Sequence, residues 1–133
     1  MLIFFDGECG LCDRSVRWLL DHDPEGRLRF APLQGETAKQ RLAPFAARLE
    51  GVDSMVLLDS REGQERIWLR SRAVFRVLRV LPKPARRWAW FGVFPAFLTD
   101  LGYRLVAALR KRIWGAPDLC RAPTPEERAR FLP

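Results

Sequence analysis

Two cysteines with two residues between them stand near the start of this 133-residue chain, in Phe4-Phe5-Asp6-Gly7-Glu8-Cys9-Gly10-Leu11-Cys12-Asp13. A C-x-x-C pair has two main chemistries open to it: thiol–disulfide exchange, or half of a zinc site. Exchange needs one sulfur that ionises and attacks, and a second within reach that resolves the mixed disulfide. Backbone N–H groups at a helix start lack partners and, with the aligned peptide dipoles, favour an anion there. Placed at such a start, Cys9 is the expected nucleophile on an exposed turn, and Cys12, one helical turn later, the shielded resolving thiol. Gly10 and Leu11, between the sulfurs, are the expected substrate contacts, with Gly10 leaving room for a substrate chain. Asp6 has two readings: it moves a proton during exchange, or its Asp-Gly pair simply builds the turn. The acidic neighbours Asp6, Glu8 and Asp13 oppose a thiolate and Arg14 and Arg17 partly offset them, so a couple that favours reducing its substrates is expected.

Zinc would need two further ligands. The one histidine, His22, lies ten residues beyond Cys12, about 15 Å away on a continuous helix. Cys120 and an acidic residue would have to complete the set. Cys120 reads more simply as a small buried hydrophobe. Neither a metal nor an organic cofactor is expected.

The elements that must hold the pair follow from apolar spacing. Leu2 to Phe5 suits a buried strand, and Cys12, Val16, Leu19 and Leu20 form one helical stripe ended at Asp23-Pro24-Glu25-Gly26. Leu28 to Leu33 is a second strand. Gly35 to Glu50 has a helical pattern that Pro44 splits. Met55 to Leu58 and Arg66 to Leu69 pair as a hairpin around a polar turn over 59–64. Ser71 caps the next helix, whose inner stripe is Val74, Val77, Leu78 and Leu81. Asp100 caps a later helix with Leu101, Leu105, Ala108 and Leu109 turned inward, and Thr124-Pro125-Glu126-Glu127 has the form of a capping box. The aromatic run Trp88, Trp90, Phe91, Phe94 and Phe97 is expected in the core of this C-terminal part, with a docking patch as the lesser reading. The β-α-β-α-β-β-α order predicts an α/β, thioredoxin-like fold: a four-stranded mixed sheet flanked by helices, with a C-terminal helical extension. The expectation is one domain, residues 1–82 forming its core and 83–133 the extension.

Asp6-Gly7-Glu8-Cys9-Gly10-Leu11-Cys12 resembles the signature of the DCC family of thiol-disulfide oxidoreductases, named for its Asp-Cys-Cys pattern. Asp53-Ser54-Met55-Val56-Leu57-Leu58-Asp59 is similar to the family's central strand, and Arg70-Ser71-Arg72-Ala73 to the start of its next helix. Tyr103-Arg104 through Cys120 and Pro123 resembles its C-terminal part. The resemblance implies a thioredoxin-like fold, dithiol/disulfide activity, and Asp6, Cys9 and Cys12 as motif residues. Thioredoxins carry a cis-proline before the third strand; here Val52-Asp53-Ser54 holds none, so substrate docking differs and Ser54 is expected to line the cleft.

Charge is unevenly spread. Residues 1–60 hold seven Lys/Arg against ten Asp/Glu, and residues 61–133 sixteen against six. Such asymmetry suits an anionic partner, but only three of the 23 basic residues are lysine, which reads as compositional bias rather than a nucleic-acid track. No secretory leader is read at the N-terminus, and the uncharged stretch Trp88 to Thr99, broken by Pro95, is too short to span a bilayer. Lying on a membrane surface stays open to it. A cytoplasmic enzyme that meets a disulfide-containing substrate and a cellular thiol reductant is the expected function. The rival is a redox-silent or metal-binding module that docks a partner through the basic, aromatic C-terminal half.

Overall fold

Leu2, Ile3 and Phe4 are apolar without interruption because the strand they form is covered on both faces. In the computed structural model, which describes residues 1–7, 9–50, 52, 55–61, 63–113 and 124–133, this strand is β1 (Leu2–Phe5). It is followed by α1 (Gly10–Asp21), β2 (Arg29–Pro32), α2 (Glu36–Leu42), a 3-10 turn (Ala43–Phe45) and α3 (Ala46–Leu49). Then come β3 (Val56–Arg61), β4 (Gln64–Leu69), α4 (Arg70–Leu78), a 3-10 helix (Ala85–Val93), α5 (Ala96–Ile113) and α6 (Pro125–Arg128).

The sheet order is β2-β1-β3-β4. β1 runs parallel to β2, with Ile3 opposite Phe30, and antiparallel to β3, with Ile3 opposite Leu57; β3 and β4 are antiparallel. The chain is therefore α/β with a four-stranded mixed sheet, the thioredoxin-like arrangement. Alternate residues of a strand face opposite ways. Ile3, Phe30 and Leu57 pack with Val16 and Leu19 of α1 and Val77 of α4. Leu2, Phe4, Val56 and Leu58 pack on the other side with Ala38 and Leu42 of α2.

Several local expectations are corrected. The hairpin strands run on through the polar stretch to Arg61 and from Gln64, with Gly63 at φ 75° in the turn. Asp59 can sit in a strand although buried because Arg76 of α4 reaches its Oδ2 at 3.2 Å. Ser71 does not cap α4. The N-cap is Leu69, and Ser71 is buried inside the helix, its hydroxyl turned to Thr99 and Asp100. Asp100 likewise caps nothing: α5 begins at Ala96, directly after Pro95, and its first turn precedes Asp100. The capping box forms as expected, Glu127 N donating to Thr124 Oγ1 at 3.2 Å and Thr124 N to Glu127 Oε2 at 2.7 Å.

The C-terminal part is bound to the sheet at both ends. Ala85 and Ala89 enter the main core, and Phe131 packs against it. The last residues lie parallel along β2: Phe30 N donates to Arg130 O at 2.9 Å and Leu132 N to Phe30 O at 2.8 Å. This covers an edge strand that would otherwise offer unpaired backbone groups. Gly35 is required there, since a Cβ would lie 2.8 Å from the Pro133 carbonyl carbon.

Two expected core groups lie outside the core. Trp88, Trp90, Phe91, Phe94 and Phe97 are all exposed, as are Leu101, Leu105 and Leu109. The reason is the phase of each helix. The 3-10 helix spends its buried positions on Ala85 and Ala89, and α5 turns Tyr103 and Ala107 inward instead.

Candidate functional site

β1 ends at Phe5 because Asp6-Gly7 turns the chain into α1. The turn is tied on both sides. Cys9 N donates to Asp6 O at 3.2 Å, and Gln34, after β2, brackets it from outside: its Nε2 donates to Asp6 Oδ1 at 3.1 Å and its Oε1 accepts from Gly7 N at 3.4 Å. The sequence pattern did not single out Gln34, because it is a loop glutamine 28 positions from Asp6. Glu8 is outside the described residues, as is Ser54, so the expectation that Ser54 lines the cleft falls there; Cys120 is outside them too.

Cys9 is the N-cap of α1, in extended conformation at φ −107° and ψ 114°, and Cys12 closes the first turn, both as reduced thiols. Their exposure is the reverse of the expected order. Cys9 is buried, at 3% exposure, and Cys12 is partly open. The N-cap position therefore does not leave Cys9 open, and it is Cys12 that borders a cavity.

That cavity, of about 490 Å³, lies between α1, α4 and α5. Leu11, Cys12 and Trp18 of α1 border it, with Val74 and Val77 of α4, Tyr103, Val106 and Ala107 of α5, and Phe5 and Met55 at the sheet end. Its walls are overwhelmingly apolar, and its size suits a small ligand or one large side chain. Tyr103 joins the walls: its hydroxyl accepts from Met55 N at 3.3 Å, tying α5 to the segment before β3. Of the residues expected to contact substrate, Leu11 borders this cavity beside Cys12, while Gly10 is buried at the start of α1 and is not among its walls. The part played by α5 was missed. Tyr103, Val106 and Ala107 recur at three- and four-residue spacing, which was the available signal.

Among the described residues no three His, Cys, Asp or Glu side chains cluster as metal ligands. His22 is occupied locally, its Nδ1 2.8 Å from Trp18 O and its ring stacked on the indole at 4.1 Å. No helix among the described residues is long and apolar enough to cross a membrane.

The family model described as DCC1-like thiol-disulfide oxidoreductase matches residues 3–116. The chain is 32% identical to the uncharacterized protein YuxK of Bacillus subtilis over 132 residues, 99% of this chain and 93% of that one. It is also 32% identical to a chloroplastic DCC family protein of Arabidopsis thaliana over 120 residues, 90% of this chain and 67% of the relative. No solved structure gives a significant match. A family model spanning most of the chain and two relatives at this level of identity lead to one conclusion: the chain belongs to the DCC1-like thiol-disulfide oxidoreductase family.

Proposed function

We propose that the protein exchanges electrons with disulfides through the Cys9–Cys12 couple, in the cytoplasm. The observation that carries this reading is the pair's position in the first turn of α1, with Cys12 opening on an apolar cavity. The Cys9 thiolate attacks one sulfur of a substrate disulfide, that S–S bond breaks, and the expelled thiolate takes up a proton. The Cys12 thiolate then attacks the Cys9 sulfur, the second substrate thiolate leaves, and a Cys9–Cys12 disulfide remains. Two electrons have passed to the substrate; a cellular thiol reductant returns them. Asp6, held by Gln34 at the head of the turn, is the proposed carrier of the thiol proton. The cavity receives an apolar or aromatic group beside the substrate disulfide, because burying such a group there is favourable by about 25 cal/mol per Å².

The burial of Cys9 means that the turn above it must part before attack. A second reading, favoured by the greater exposure of Cys12, exchanges the two roles. Insulin reduction by single-cysteine variants in a Cys120→Ser background separates them. The expected result is a mixed disulfide that accumulates on Cys9 in Cys12→Ser, with turnover abolished in Cys9→Ser. A trapped adduct on Cys12 alone selects the exchanged roles. A Cys120→Ser parent protein that reduces no insulin overturns disulfide exchange itself.

A further inference from the structure

Among the described residues, the outer surface of the C-terminal half is left exposed. Trp88 and Phe91 of the 3-10 helix and Phe94 just beyond its end stack in a ladder with ring centroids 5.9 and 6.2 Å apart. Trp90 projects beside them at 79% exposure. The 18-residue helix α5 continues this surface. Leu101 and Leu105 lie about 160° around the helix from inward-facing Tyr103, at 64% and 62% exposure, with Phe97 on their flank. Apolar surface of this extent is not left to water without a function.

Charge says what covers it. From Arg66 through Pro117, both included, the sequence holds twelve Lys/Arg and a single acid, Asp100. That carboxylate is turned inward, accepting a hydrogen bond from Ser71 Oγ. Lys83, Arg86 and Arg87 are exposed around the 3-10 helix, and Arg104 and Arg112 along α5 beside the leucines. A second copy of this chain would bring two basic faces together, which electrostatics opposes. The face instead matches an anionic lipid surface: tryptophans and phenylalanines at headgroup depth, leucines in the acyl boundary, and arginines among the phosphates.

We propose that the 3-10 helix Ala85–Val93 and the outer face of α5 dock the protein, in the plane of the surface, on membranes rich in anionic phospholipid. The Cys12 cavity lies under the same α5, so docking brings the cysteine pair to the bilayer boundary. This attachment does not require the cysteines to be active, and a Cys9→Ser/Cys12→Ser variant binds as the wild type does.

The test is co-sedimentation of the full chain with phosphatidylcholine vesicles, with and without phosphatidylglycerol, alongside tryptophan emission. At least tenfold more protein is expected on the anionic vesicles, with a blue shift of emission and loss of binding as salt screens the charges. Leu101→Glu/Leu105→Glu, at exposed positions that leave the core intact, abolishes the binding while circular dichroism is unchanged. Arg86→Glu/Arg87→Glu, which leaves the apolar residues in place, weakens it. Equal partitioning onto neutral vesicles, absence of binding, or binding indifferent to both pairs of substitutions overturns the proposal. So does a stable dimer in sedimentation velocity that Leu101→Glu/Leu105→Glu dissociates, which assigns the face to a second copy.

Discussion

Ser71 of α4 donates its hydroxyl to the Asp100 carboxylate of α5, a link between two helices that meet 29 positions apart. Thr99 Oγ1 joins at 3.2 Å from Ser71 Oγ. The link sets α5 over α4, and so sets the α5 wall of the cavity beside Cys12. A hydrogen bond to a charged acceptor contributes about 1.5–3 kcal/mol. Ser71→Ala is expected to lower unfolding stability by about 2 kcal/mol in urea titration. An unchanged midpoint would show that α5 is held by other contacts.

The cavity, if it takes the apolar flank of a substrate, can be closed without touching either sulfur. Leu11→Glu places a charge in its wall and Ala107→Phe fills it. For an aromatic disulfide the expected effect is a rise in KM of about tenfold, equivalent to about 1.4 kcal/mol, with kcat nearly unchanged. For a small hydrophilic disulfide KM should stay as in the wild type. A parallel loss on both substrates would point to damage at the cysteines instead.

Asp23, only 1% exposed, is the anchor of the C-terminal tail. Its carboxylate accepts from Arg27 N at 3.1 Å and Leu28 N at 2.9 Å, and Arg130 Nη1 lies 3.5 Å from Oδ2 while donating to Asp23 O at 3.0 Å. Asp23→Ala strips acceptors from two backbone donors and a partner from a half-buried guanidinium. A loss of about 3 kcal/mol is expected, with hydrogen exchange quickening first in the tail along β2. Equal exchange in the tail and in β1 would argue against a local anchor.

Arg70 takes φ 52° at the junction of β4 and α4, in the left-handed region that side chains rarely adopt. Arg70→Gly relieves that conformation and is expected to raise stability by up to about 1 kcal/mol, while Arg70→Val lowers it by about 1–2 kcal/mol. The order of thermal midpoints, Gly above Arg above Val, is the readout.

Local periodicity made much of this architecture legible. Leu2 to Phe5, the stripe Val16 and Leu19, the break at Pro44 and the capping box at Thr124 each depend on neighbours within a few positions, so the chain declares them without its fold. The same is true of the placement of Cys9-Gly10-Leu11-Cys12 at a strand-to-helix junction, and its family resemblance rests on those residues. Tertiary packing alone decided the rest. Which of the two sulfurs opens outward depends on what closes over the first turn of α1. Ser71 finds Asp100, Asp23 finds Arg130 and Phe131 finds Phe30 only once distant segments are brought together. α5 carries apolar residues on more than one face, so periodicity cannot say which side it buries; contact with α1 and α4 took Tyr103 and Ala107 inward and left Leu101 and Leu105 facing out.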